Sequence, residues 1–199
     1  SLPALLQDQP ELEGFNITIP HKEGVIPFLF EKSKVVEEIN ACNCIRVKNR
    51  LLYGHNTDVV GFEKSLRNFI PNTPNGALIL GTGGSARAVA FVLKKLNISF
   101  SFVSRKASPS QYSYSNLTKG IIEQHQLIIN TTPLGMYPAD QFPDIPYSYV
   151  GSKHFLFDLL YNPNMTIFMK KGAERGAKVK NGYEMLELQA DESWRIWNA

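Results

Sequence analysis

Short, continuously apolar runs alternate along this chain with longer stretches in which apolar residues recur every three or four positions. Runs of the first kind read as buried strands and stretches of the second as amphipathic helices, and their alternation predicts an α/β fold with a mainly parallel sheet. Leu2 to Leu6 reads as the end of a helix. Phe15 to Ile19 alternates polar and apolar residues and is stopped by Pro20, so it reads as a strand with Ile17 and Ile19 turned into a core. Glu23 to Phe30 reads as a short helix. Asn43 to Val47 and Leu51 to Tyr53 flank Lys48-Asn49-Arg50 as a hairpin. Asp58 to Phe69 carries Val59, Phe62, Leu66 and Phe69 at helical spacing. The Pro/Asn/Gly-rich break from Pro71 to Gly76 then reads as a linker to a second unit. Beyond it the pattern predicts strands over Ala77–Leu80, Phe100–Val103, Leu127–Ile129 and Phe155–Leu159. Helices are predicted over Ser85–Leu96, over Thr166–Arg175 with Gly176 as the stop, and over Glu184–Trp197 with Met185, Leu188 and Trp194 on the apolar stripe. The Gln111 to Gln126 stretch carries no clear signal.

Composition narrows the function class only a little. With 199 residues, 43% apolar and 20% charged, the chain can build a core of ordinary size. A net charge of +3 is too small to argue for a nucleic-acid partner. No apolar run approaches the roughly 18 residues of a membrane span, so none is expected. Cys42 and Cys44 are too close in sequence for an easy disulfide and lack the company of a zinc site. Two small buried thiols, kept reduced, fit a cytoplasmic protein. The chain opens on Ser1-Leu2-Pro3 with no Met before it, and residues preceding Ser1 are expected.

The clearest chemical motif is Gly81-Thr82-Gly83-Gly84-Ser85-Ala86, a G-x-G-x-x-A loop between a predicted strand and a predicted helix. The first glycine suits a tight turn, the second lets backbone approach a pyrophosphate, and Ala86 keeps the helix close to the sheet. The helix N-terminus adds free N–H groups and a positive dipole end. At the end of the next strand stands Ser104-Arg105-Lys106, where an NAD-binding unit usually has an acid. A cationic pair suits a ribose 2′-phosphate, so NADP is the expected cofactor. The plainer reading leaves Arg105 and Lys106 as solvated loop charges.

A second group of polar residues precedes the loop. Asn16 and Thr18 lie two apart on the predicted strand and share a face. Lys22 follows Pro20, Asn43 opens the hairpin, and Asn56-Thr57-Asp58 stands at a strand-to-helix junction. Polar groups at strand ends of an open α/β sheet suit a small polyhydroxylated ligand. Lys22 and Asp58 have the types needed for proton transfer, the carboxylate orienting the ammonium. Each also has a bland role: Asp58 as a helix cap, Lys22 as a surface cation, Asn16 and Asn43 as turn residues.

Taken together these segments resemble the shikimate dehydrogenase family. Gly14-Phe15-Asn16-Ile17-Thr18-Ile19-Pro20-His21-Lys22 resembles its G-x-N-V-T-x-P-x-K, Ala41-Cys42-Asn43-Cys44-Ile45 its A-V-N-T-I, and Gly54-His55-Asn56-Thr57-Asp58 with Gly61 its G-x-N-T-D-x-x-G. The Gly81 loop resembles its GAGGA, Asn130 to Met136 its N-T-T-P-x-G-M, and Asp158, Tyr161, Pro163 and Thr166 its D-x-x-Y-x-P-x-x-T. Gly182, Met185-Leu186 and Gln189-Ala190 resemble G-x-x-M-L-x-x-Q-A.

The resemblance implies two domains. A substrate-binding and catalytic unit of mixed α/β sheet would take residues 1–57 and 183–199, and a Rossmann-type NADP unit with a parallel sheet residues 58–182. It implies NADP-dependent, reversible reduction of 3-dehydroshikimate to shikimate on the route to aromatic amino acids. Lys22 and Asp58 would be the catalytic pair; which of them donates the proton is left open. Thr18, Lys22, Asn43, Asp58, Tyr161 and Gln189 would contact shikimate. Gly81, Thr82, Gly83, Gly84, Ser85, Ser104, Arg105, Lys106, Leu159 and Gly182 would line the cofactor, with no metal. Monomer and homodimer both stay open.

Two departures from the family pattern stand out. Its opening G-x-P-x-x-H-S-x-S segment, whose serines hold the substrate carboxylate, has no counterpart after Ser1. Its usual Asn-Arg-Thr at the second strand is Ser104-Arg105-Lys106 here, which keeps the arginine and puts the flanking contacts in doubt. A quinate/shikimate dehydrogenase preferring NAD is the neighbouring reading, against which Arg105 and Lys106 argue. A binding module that keeps NADP without chemistry is the other, against which the Lys22 and Asp58 types argue.

Overall fold

The computed structural model describes residues 2–137 and 141–199; Ser1 lies outside the described residues. The chain builds two sheets. The first contains β1 (Gly14–Asn16), β2 (Glu31–Lys32), β3 (Cys44–Lys48) and β4 (Leu51–His55), in the order β1-β3-β4-β2. Strands β3 and β4 form the predicted antiparallel hairpin, closed by Asn49 and Arg50, both at positive φ as a two-residue turn of this hand requires. Val36, Cys42, Ile45 and Leu52 form the small core against it. Helices α1 (Leu2–Asp8) and α2 (Lys34–Ile39) belong to this part of the chain.

The second sheet is wholly parallel. It contains β5 (Ala77–Leu80), β6 (Phe100–Ser104), β7 (Tyr112–Ser113), β8 (Leu127–Asn130), β9 (Phe155–Asp158) and β10 (Lys178–Lys180), in the order β10-β9-β8-β5-β6-β7. Its central strands are apolar at every position but their ends, because both faces are covered. Ile79, Ile129 and Phe157 pack with Val59, Phe62 and Leu66 of α3 (Asp58–Phe69) and with Val89 and Leu93 of α4 (Gly84–Lys95). On the opposite face Leu78, Leu80, Ile128 and Leu156 pack with Ile122 of α5 (Lys119–Gln124) and Phe168 of α6 (Ile167–Ala173). The period of two along each strand decides which residue meets which layer. The last helix, α7 (Tyr183–Trp197), lies along α3. Gly61 lets them approach: a Cβ there would meet the Met185 carbonyl oxygen at 2.6 Å.

The fold class agrees with the expectation, and so do most helices and central strands. Several local expectations fail. The strand at Phe15 ends at Asn16, and the chain leaves the sheet before Pro20. Ile19 is 61% exposed instead of entering a core, while Ile17 packs partly against the small one. Glu23 to Phe30 forms turns and a 3-10 segment, Ile26–Phe28, because Pro27 lacks the N–H an α-helix would use there. Trp194 is 67% exposed; α7 buries Met185, Ser193 and Ile196 instead, and the indole N–H that binds the hairpin is that of Trp197, donating to the Ile45 carbonyl at 2.9 Å. The elements α2, β2 and β10 carried no recognised signal. The unsignalled stretch contains β7, a 3-10 turn at Tyr114–Asn116 and α5.

Candidate active site

The order of the large sheet creates a crevice. From β5 the chain steps to β6 and β7 on one side and returns through β8 to the other, so the loops after β5 and β8 diverge between their ends. Such a switch point is where open α/β sheets hold ligands. The loop after β5 is Gly81 to Gly83. Gly81 turns at φ +110, and Gly83 immediately precedes α4, whose first N–H groups have no side-chain cap. Ala86 is fully buried against the sheet, as its place in the motif requires. The loop after β8 is held across the crevice by Thr131, whose backbone N–H and hydroxyl both donate to the Leu80 carbonyl, at 3.0 and 2.6 Å.

A cavity of about 570 Å³ opens here, lined by Gly81 to Ser85, Ser104, Arg105, Tyr114 and Thr131 to Leu134, with Lys22 at one end. A Cβ built on Gly83 would meet nothing within 4 Å, so the protein's own packing does not require glycine there. What glycine leaves is room for a ligand at bare backbone beside a helix N-terminus, with Arg105 on the same wall. That arrangement fits a dinucleotide carrying an extra phosphate. Lys106 is exposed and lies off the cavity wall; its backbone N–H donates to the Ser104 hydroxyl at 3.3 Å.

A second cavity, of about 310 Å³, adjoins the first. Asn16, Thr18, Lys22, Asp58, Leu159, Tyr161, Gly182 and Gln189 are among its walls, and it shares Lys22, Ser85 and Thr131 to Pro133 with the larger one. Lys22 therefore stands where the two meet. Leu159 and Gly182 lie on the smaller cavity and not beside the glycine loop.

Lys22 is held from both ends. Its carbonyl accepts the Cys42 N–H at 2.8 Å, and its ammonium lies 2.6 Å from Asp58 Oδ2 with both side chains nearly buried. The aliphatic stem of Lys22 packs against the glycine loop: a Cβ on Gly84 would lie 3.6 Å from the Lys22 Cβ. Asp58 does not serve as the helix cap. The Val59 N–H goes to Asn56 Oδ1 at 3.3 Å, and the Asp58 oxygens are left for Lys22 and Asn43. Asn43 is buried behind the carboxylate, off the cavity wall. Its Nδ2 lies 3.0 Å from Asp58 Oδ1 and 3.0 Å from Thr57 Oγ1, and its Oδ1 accepts the Thr57 N–H at 2.7 Å. Thus one carboxylate oxygen is fixed from behind and the other faces the lysine.

The loop after β8, which lines both cavities, has its own anchor. Asp158 is fully buried and accepts from Asn130 Nδ2 at 3.0 Å, the Leu160 N–H at 3.1 Å and the Thr166 hydroxyl at 2.6 Å. Burial pushes its carboxyl up to about 6, the three donors opposing the shift. Asn130 Oδ1 in turn receives the Thr132 N–H and hydroxyl. Sequence reasoning named the motifs at Asn130 and Asp158 without a role; their polar atoms shape the crevice wall. It missed Ser193 and the part played by Thr57. Thr57 could have been read from its place in Asn-Thr-Asp; Ser193 has only its position one helical turn after Gln189 as a signal.

Comparison with known proteins agrees with this geometry. The family model of the shikimate dehydrogenase substrate binding domain matches residues 4–45. A shikimate dehydrogenase (NADP(+)) of Methanococcus maripaludis is 36% identical over 200 residues, which cover 92% of this chain and 72% of that protein. The crystal structure of a chorismate mutase/shikimate 5-dehydrogenase fusion protein from Clostridium acetobutylicum superposes with a TM-score of 0.87 at 34% identity, over 99% of this chain and 74% of that one. The shikimate 5-dehydrogenase of Thermus thermophilus, solved with NADP(H) and shikimate, gives 0.85 at 28% identity, over 98% of this chain and 77% of that one. The chain belongs to the shikimate dehydrogenase family.

Proposed function

We propose that this protein catalyses the NADP-dependent, reversible reduction of 3-dehydroshikimate to shikimate. The observation that carries the reading is the place of Lys22, at the meeting of the glycine-loop cavity and a smaller one walled in part by Asn16, Thr18, Asp58 and Gln189, 2.6 Å from Asp58. Family membership supports it, as does a related structure that holds NADP(H) and shikimate together.

In this reading Gly81, Thr82, Gly83, Gly84 and Ser85 receive the pyrophosphate, and Ser104, Arg105 and Lys106 the adenosine end. Arg105 is the main partner of the 2′-phosphate, since Lys106 stands off the wall. Leu159 and Gly182 meet the nicotinamide end. When bound, NADPH supplies the hydride that the C3 carbonyl carbon receives. Thr18, Tyr161 and Gln189 orient the substrate in the smaller cavity. Lys22 and Asp58 form the proton-transfer pair, Lys22 stabilising the developing alkoxide or protonating it. Asn43 acts on the substrate chiefly through Asp58, which it holds. We assign residues 1–57 and 183–199 to the substrate unit and 58–182 to the cofactor unit, and infer a cytoplasmic setting from the two free, buried thiols.

The test is shikimate-dependent reduction of NADP+, read at the nicotinamide absorbance, for wild type and Lys22→Ala. We expect kcat to fall by about 10²- to 10⁴-fold in the variant, the usual worth of a positioned acid–base group. Faster turnover of quinate with NAD+ would replace the reading with the neighbouring one. Cofactor binding without turnover of either substrate would leave only a binding module.

A further inference from the structure

Ser193 belongs to none of the family motifs, yet it is the fully buried polar residue of α7. Its hydroxyl lies 3.1 Å from Thr57 Oγ1, 3.1 Å from Asn16 Oδ1 and 2.9 Å from the Gln189 carbonyl. Four separate segments thus meet at one oxygen: β1, the start of α3, the Gln189 turn of α7, and, through Thr57, the Asn43 segment.

Counting hydrogens gives this cluster a direction. The Asn43 amide has two donors, one spent on Asp58 Oδ1 and the other on Thr57 Oγ1. Having accepted from Asn43, the Thr57 hydroxyl has a single proton left to give, and the Ser193 oxygen is the nearest of its acceptors; Gln189 Oε1 is at 3.3 Å and Asn43 Oδ1 at 3.4 Å. Ser193 then gives its own proton onward in a three-centre bond, shared between the Gln189 carbonyl at 2.9 Å and Asn16 Oδ1 at 3.1 Å. The same contact turns the oxygen of the Asn16 amide toward Ser193. The Asn16 N–H₂ group is left for the cavity that Asn16 lines.

We propose that Ser193 is a positioning residue, the acceptor that sets the Asn43–Thr57 relay behind Asp58 and turns the Asn16 amide toward the substrate. Deleting the hydroxyl leaves Thr57 free to donate to Gln189 or Asn43 instead. Either choice draws a side chain away from the geometry that fixes the carboxylate. The glycine-loop cavity, which takes the phosphates, shares no residue with this cluster, so NADP+ affinity measured without shikimate should stay close to the wild-type value.

The inference rests on the reading of Lys22 and Asp58 as the reacting pair, and the experiment separates the two. Wild type, Ser193→Ala, Ser193→Thr, Thr57→Ala and the Ser193→Ala/Thr57→Ala double variant are compared for shikimate oxidation and for NADP+ affinity. Ser193→Ala should lower kcat about 10-fold, as a small misplacement of reacting groups does, and raise the shikimate KM, with NADP+ affinity unchanged. Ser193→Thr, which keeps the hydroxyl, should recover most of the loss. Because both act through one chain of bonds, the double variant should be no slower than the slower single variant. A merely structural role would lower the melting temperature of Ser193→Ala and leave kcat and KM at wild-type values well below it; that result overturns the inference alone. Losses that multiply in the double variant also overturn it. A wild type that fails to oxidise shikimate overturns the functional reading and this inference with it.

Discussion

Two glycines conserve space for different reasons, and substitution separates them. At Gly61 an added methyl would drive into the Met185 carbonyl at 2.6 Å and lie 3.1 Å from the Gln189 nitrogen, so Gly61→Ala must push α7 from α3. We expect it to lower stability by about 1–3 kcal/mol, the usual cost of overpacking, and to disturb Gln189 with it. At Gly83 the methyl would stand in open space at a backbone φ of −77, which any residue adopts. Gly83→Ala should therefore melt within about 0.5 kcal/mol of wild type, as surface changes do. Its NADP+ affinity should nonetheless fall, because the methyl occupies the room left for phosphate. Thermal unfolding paired with a cofactor titration checks both variants. A Gly83→Ala protein that binds NADP+ like wild type would mean that the cradle is not where the pyrophosphate sits. The sequence showed both glycines as motif members; only the surroundings distinguish packing from a ligand's berth.

At the scale of elements, what the sequence made legible follows the strength of each periodic signal. Helix α3 begins at Asp58 and ends at Phe69, the expected limits, because four apolar residues fix its buried stripe. Strands β5, β8 and β9 were legible because burial on both faces makes them continuously apolar. The short edge strands β2, β7 and β10 were not, since two or three residues hold too little pattern. The site residues were legible by type and spacing. Their roles were not, since Asn43 on a strand cannot be told from a ligand contact until the depth of Asp58 is known. Asp158 shows the same limit. It reads as a motif residue, but its work is to tie the end of β9 to the loop after β8. Its carboxyl, raised by burial from the ordinary 3.8 to about 6, binds a proton more readily in the folded than in the unfolded chain. Its contribution to stability is thus present in full below about 4 and is lost as the pH rises through about 6. Asp158→Asn removes that dependence. Between pH 4 and 6.5 the melting temperature of the variant should rise relative to wild type. A constant difference across that range would show that Asp158 ionises in the native state as it does in the unfolded chain.

Across the whole molecule, the two cavities share the segment that carries Lys22. The stem of Lys22 touches the glycine loop, and the next residue, Glu23, forms an ion pair with Arg87 in the first turns of α4. One stretch of chain is thereby fastened to the helix whose N-terminus faces the cofactor. Both partners of the pair keep part of their surface in water, at 30% and 52% exposure, so its contribution to stability is small, about 0–1 kcal/mol. Its larger effect is on geometry: it ties the residue after Lys22 to α4, beside the Gly84 contact of the Lys22 stem. Glu23→Gln releases that tether without adding bulk, and the glycine loop itself remains intact. Glu23 also lines the larger cavity, so loss of its charge should by itself raise NADP+ affinity in the absence of shikimate, and the tether is read from the ratio of affinities with and without the second ligand. In wild type, filling one cavity should favour filling the other, because both ligands meet the same lysine, and thermodynamic linkage makes the effect mutual. The gain in NADP+ affinity on adding shikimate should shrink in Glu23→Gln, and the gain in shikimate affinity on adding NADP+ should shrink by the same factor. Calorimetric titrations in both orders measure the two factors independently. If the variant retained the full gain, the Gly84 contact alone would be sufficient to hold Lys22, and the ion pair would be a surface interaction without a part in catalysis.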